Sequence, residues 1–160
     1  MIKYCVLALL ACNSVFAAQV DKCKDPTNRN GTYGLAEIED VRISECPDSP
    51  CKLIKGTSTT IEFDFIPDKV YDKLTTSVFG GIGIIRVPFR DVHGMDACKD
   101  IQRKSDGKKG CPLLPLEVYT YSNSFPILKS YPAVSVNVQY GLNDRKTPVV
   151  CFTLPAKITT

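Results

Sequence analysis

The chain is poor in the residues that carry chemistry. It has one histidine in 160 residues, His93, and a serine or cysteine nucleophile needs a neighbouring base. His93 falls in the polar loop RDVHGMD, where it reads as a solvated loop residue. Paired carboxylates could serve a glycosidase, yet Glu37, Glu39, Glu62 and Asp64 alternate with apolar residues and read as solvated strand faces. The run GGIG, Gly80 to Gly83, lacks the spacing and following helix of a phosphate-cradling loop. Glycine there reads as a bend or bulge. The chain is expected not to be an enzyme and to need no cofactor.

Two further lacks narrow the partners. Past the N-terminus there is no apolar run of the roughly 20 residues that a membrane helix requires. Neither sign of charge is in large excess. The N-terminus itself has the form of a signal peptide: Met1 to Lys3 give a positive start, Tyr4 to Ala11 an apolar run, and Val15 and Ala17 put small residues at a cleavage site. Cleavage after Ala17 is expected to leave residues 18–160 as one domain, secreted or held in an endosomal or lysosomal lumen. With Lys3 gone, 19 basic residues face 17 acidic ones. That balance argues against nucleic acid, which calls for a strongly basic face. Asn30-Gly31-Thr32 is a glycosylation acceptor triplet, which fits secretion.

Cleavage also removes Cys5 and Cys12 and leaves Cys23, Cys46, Cys51, Cys98, Cys111 and Cys151. An even number in an oxidising compartment reads as disulfides. The competing reading of CPDSPC is zinc, but structural zinc sites want two close ligand pairs at shorter spacing, so no metal is expected. The short loops favour Cys46 with Cys51 and Cys98 with Cys111, though the residues alone do not choose among the pairings.

What the chain has in quantity is alternation. In TTIEFDFIP, Ile61, Phe63 and Phe65 point one way and Thr60, Glu62 and Asp64 the other; in AVSVNVQYGL, Val134, Val136, Val138, Tyr140 and Leu142 share a face. LAEIEDVRIS, KLTTSVFGG, IGIIRVPF, LEVYTYS and PVVCFTLPAKI bring the count to about seven strands separated by turn signals. The expected fold class is all-β: an immunoglobulin-like sandwich of two antiparallel sheets. Its inner faces can form a solid core, or can splay at one edge and leave an apolar cavity for a guest. Periodicity does not separate these cases.

The order ECPDSPCKLIKG, TIEFDF, GGIGIIRVPF, DAC and GCPL, EVYTYSNSFPILKSYP, VNVQYGL and VVCFTLPAKI resembles the lipid-recognition (ML) domain family across the whole mature chain, in particular its Niemann-Pick type C2 branch. The resemblance implies a sandwich with a ligand cavity between its sheets and the pairs Cys23 with Cys151, Cys46 with Cys51 and Cys98 with Cys111. On it, CPDSPC is a staple closing the hairpin that leads into KLIKG. It implies a monomeric carrier for a sterol, fatty acid or other hydrophobic small molecule. Phe89 in VPF, and Ile127 and Tyr131 in FPILKSYP, match pocket positions; Ile43, Leu53, Ile61, Phe63, Val87, Pro126, Tyr140 and Phe152 match wall positions.

The chain departs from that family twice. Sterol-carrying relatives commonly have tryptophan where Tyr140 and Phe152 stand, and this chain has none. The segment between Cys98 and Cys111 is longer than usual and carries Lys99, Arg103, Lys104, Lys108 and Lys109 against Asp100 and Asp106. That excess suggests contact with anionic membrane headgroups. Two other functions within the family are a chemosensory carrier of semiochemicals and an innate-immune lipid-recognition module.

Overall fold

Alternating apolar residues bury one side of a strand, and two such sheets must cover each other. The computed structural model describes residues 16–24 and 34–160, so Asn30 and most of the expected signal peptide lie outside the described residues. One sheet runs β1 (Phe16–Ala17), β3 (Glu37–Ile43), β5 (Ser58–Ile66), β9 (Tyr119–Pro126) and β8 (Ile101–Arg103). The other runs β2 (Asp21–Lys22), β11 (Thr147–Thr159), β10 (Ser135–Asp144), β6 (Thr75–Ile82) and β7 (Ile85–Pro88), with β4 (Cys51–Ile54) also on β11. The seven expected strands are all present. Four short ones, β1, β2, β4 and β8, add to them among the described residues, β1 being the last two residues of the segment expected to be cleaved.

The two sheets meet through aromatic rings. Cross-strand partners Phe63 and Tyr121 in one sheet face partners Tyr140 and Phe152 in the other. The Phe63 centroid lies 4.9 Å from Tyr121 and 5.4 Å from Phe152. All four residues are fully buried. Offset and edge contacts of this kind add to the area term, so this cluster is the packed centre of the sandwich.

Three disulfides bind the ends and loops: Cys23–Cys151, Cys46–Cys51 and Cys98–Cys111. The loop around CPDSPC differs from the hairpin expected there. Strand β3 belongs to one sheet, whereas β4 pairs in parallel with β11 of the other. Cys46–Cys51 therefore staples a crossover between sheets, because the unpaired side of β11 offers β4 a hydrogen-bonding edge.

Asp64 also departs from expectation. Alternation puts it on the outer face, yet its side chain is only 7 % exposed. Arg42 and Lys104 reach it at 3.2 and 2.9 Å, and Thr120 donates to it at 2.7 Å. Burial works to raise its pKa, but the hydrogen bonds from Thr120, Arg42 and Lys104 outweigh burial and hold the carboxyl below its ordinary value. A lowered folded pKa gives stability that is present above the unfolded value and lost as pH falls through the folded one. Stability from Asp64 should thus be full from neutrality to pH 5 and fall only below about pH 4. Asp64→Asn leaves two cations without their shared carboxylate and is expected to cost about 2 to 4 kcal/mol at pH 7, read by urea unfolding. A loss that persists unchanged at pH 2.5 would point to packing instead of charge.

Candidate functional site

One end of the sandwich is not filled. Between the β6–β7 hairpin, the segment 131–134 and the ends of β10 and β11 lies a cavity of about 100 Å³. Its wall is Gly80, Ile82, Val87, Phe89, Tyr131, Pro132, Val134, Val136 and Ile158. Every member but Tyr131 is apolar or side-chain-free. The space exists partly because residue 80 is glycine: a Cβ there would stand 3.1 Å from the Phe89 ring.

Phe89 and Tyr131 set the back and the lip. The Phe89 backbone N–H donates to the Val78 carbonyl at 3.1 Å, which fixes the residue directly after β7. Its ring meets Tyr131 edge-on at 5.4 Å and Phe125 at 6.2 Å. The Tyr131 hydroxyl accepts a hydrogen bond from the Arg90 backbone N–H at 3.0 Å, so the loop after β9 is pinned across the end of β7. On the rim, Ile82 and Val87 are 41 % and 51 % exposed, beside exposed Ile84 and Ile85.

Of the expected site residues, the structure brings Phe89, Tyr131 and Val87 together on the cavity. Ile127 is fully buried beside it and holds its loop instead, donating to the Thr57 carbonyl and accepting from the Gly56 N–H. Pro126 ends β9 opposite Ser58. Ile43, Leu53, Ile61, Phe63, Tyr140 and Phe152 sit in the packed core and do not line this space. The residues that sequence reasoning missed are Gly80, Ile82, Pro132, Val134, Val136 and Ile158. Alternation in AVSVNVQYGL marks Val134 and Val136 as inward but gives no sign that they face open space.

The basic segment lies elsewhere. Arg103 pairs with Tyr119 at the start of β9, whereas the cavity flanks its far end; six strand residues separate them by roughly 20 Å. Two of its cations are engaged, Arg103 by Asp106 at 2.5 Å and Lys104 by Asp64. His93 is exposed, as expected, and its Nδ1 accepts from the Val78 N–H at 3.1 Å. Its ring packs against Phe79 at 4.5 Å, with no hydroxyl or thiol among these contacts.

Comparison with known proteins adds relatives to this geometry. Residues 17–158 match the family model described as the ML domain. The chain is 36 % identical over 126 residues to the ecdysteroid-regulated 16 kDa protein of Manduca sexta, covering 78 % of this chain and 82 % of that one. It is 31 % identical over 159 residues to NPC intracellular cholesterol transporter 2 homolog a of Drosophila melanogaster, with 99 % of each chain covered. Among solved structures, a Niemann-Pick type C2 protein from Japanese carpenter ant superposes with a TM-score of 0.69 at 22 % identity, over 89 % of this chain and 100 % of that one. That last likeness is one of fold.

Proposed function

The chain belongs to the ML-domain family, and from that premise we propose that it is a secreted, non-enzymatic, monomeric carrier of a hydrophobic small molecule such as a sterol or fatty acid. The observation that carries the reading is the apolar cavity behind Phe89 and Tyr131, open to an exposed rim of Ile82 and Val87. The names of relatives as cholesterol transporters support the same guest class. Each 100 Å² of apolar guest surface withdrawn from water contributes about 2.5 kcal/mol. Shape and burial therefore suffice for binding without charged contacts.

The cavity of about 100 Å³ is smaller than the 300 Å³ or more that holds a drug-sized ligand. A sterol or fatty acyl chain enters only if the lip opens. The Tyr131 side chain at the lip is held by one hydrogen bond, Arg90 N–H to Tyr131 hydroxyl, and one edge-to-face contact. The Ile158 N–H to Val134 carbonyl bond holds the backbone behind it. The two side-chain contacts together resist opening by about 1 to 3 kcal/mol, a barrier that leaves exchange feasible. The exposed Ile82, Ile84, Ile85 and Val87 beside the lip give an apolar surface across which a guest can pass.

Displacement of a fluorescent apolar probe by cholesterol and palmitate tests the reading. Phe89→Ala is expected to weaken guest binding about tenfold or more while the protein stays folded and disulfide-bonded. Unchanged affinity in Phe89→Ala and Tyr131→Ala would remove the cavity as the site. Headgroup contact through Lys99, Lys108 and Lys109, the cations of the basic segment left out of its ion pairs, is a separate part of the proposal. Transfer between vesicles that ignores both salt and acidic lipid would eliminate it.

A further inference from the structure

Behind the cavity two phenols face each other across the sheets. Tyr121 of β9 and Tyr140 of β10 are fully buried, and their hydroxyl oxygens lie 2.8 Å apart. Aromatic rings surround them: Phe63 lies 4.9 Å from Tyr121, and Phe152 and Phe125 lie 6.0 and 6.2 Å from Tyr140. Phenylalanine would fill both places without any polar atom to satisfy. Each hydroxyl carries one proton, and the single bond between the two uses only one of them. Each oxygen thus has its partner in the other, and what is left over is the second proton, for which the described residues record no oxygen or nitrogen acceptor. A buried donor left without an acceptor costs stability and calls for an explanation.

A path joins this pair to the cavity. Tyr131, Phe89, Phe125 and Tyr140 follow one another at centroid spacings of 5.4, 6.2 and 6.2 Å. Val136, on the cavity wall, and Tyr140 share the inward face of β10, four residues or roughly 13 Å apart. Phe89 and Phe125 stand between, and Phe89 already forms part of the cavity wall that a guest longer than the present space must displace. An elongated guest that turns them aside places its inner end at the two hydroxyls.

We propose that the Tyr121 and Tyr140 hydroxyls form a polar floor to the guest site and select elongated apolar molecules with a neutral oxygen acceptor, a carbonyl or hydroxyl, at the inner end. This rests on the carrier reading above and adds a chemical preference to it. An ionised carboxylate is a poor occupant of the floor, because taking a charge into a dry aromatic enclosure costs far more than two phenols return. Burial raises both phenol pKa values above the ordinary tyrosine range. The floor thus keeps its protons at neutral pH. A plain hydrocarbon fits by shape but leaves the donor unmet.

The test compares hexadecane with 2-hexadecanone, by displacement of N-phenyl-1-naphthylamine, in the wild type and in the double variant Tyr121→Phe/Tyr140→Phe. The double variant keeps both rings and leaves no lone hydroxyl, so it folds. Expected is a preference for the ketone of about tenfold in the wild type, falling below about threefold in the variant, with hexadecane affinity unchanged. The infrared carbonyl band of bound 2-hexadecanone should shift to lower frequency in the wild type and return in the variant. Equal preference in the two proteins, or an unshifted band, overturns the polar floor and leaves the carrier reading intact. A wild type that binds neither molecule overturns both.

Discussion

Replacing Cys23 and Cys151 together by serine is expected to lower the free energy of unfolding by about 5 kcal/mol. The bridge spans 128 residues, and a cross-link that closes so long a loop removes the most freedom from the unfolded chain. Among the described residues the segment it secures has short pairings. Strand β2 is two residues long and pairs with Phe152 and Thr153 of β11. The Cys23 N–H adds one bond to the Cys151 carbonyl at 3.2 Å. Without the bridge, β2 is free to fray and expose that edge of β11. The Cys46–Cys51 bridge spans 5 residues, and closing so short a loop makes its loss worth about 2 kcal/mol. Guanidinium unfolding of the two serine pairs, with the remaining bridges oxidised, measures both. Equal losses would contradict the loop-length argument.

Phe63→Ala is expected to cost about 3 to 5 kcal/mol. Phe63 is fully buried, with Phe65, Tyr121, Tyr140 and Phe152 all within 6.2 Å ring to ring. Close-packed neighbours cannot collapse into the space a lost ring leaves, so the cavity term adds to the transfer term. The family resemblance marks Phe63 as pocket wall, whereas its packing makes it core. The experiment separates the two: urea unfolding should show the full loss with m unchanged. A loss below about 1 kcal/mol would mean that the ring already borders yielding space.

The contrast between Phe63 and Phe89 shows where sequence reading reaches its limit. Period-two alternation identifies β5 and β10 because each buries one face, and it correctly names Val136 and Tyr140 as inward residues. It says nothing of where along a strand the opposite sheet draws back. Val136 borders open space and Tyr140 lies in the packed aromatic centre, yet they are equivalent in the pattern. Gly80 reads as a bend, and its use is to leave room for a ring nine residues later. Strands of two to four residues, such as β2 and β4, are too short to show alternation, and the parallel pairing of β4 with β11 has no local signature. Asp64 was legible as outward but not as buried, since Arg42 and Lys104 cover it from other elements.

Native mass spectrometry of the purified protein with cholesterol and with palmitate, in the wild type and in Val136→Phe, tests the carrier reading most directly. Val136 lies on the cavity wall and is 7 % exposed, so a phenylalanine there fills the space while the rest of the fold stays in place. The account predicts one guest per wild-type chain and occupancy at least tenfold lower in Val136→Phe, with unchanged circular dichroism. A wild type that retains neither guest, or a variant that retains as much as the wild type, would contradict it.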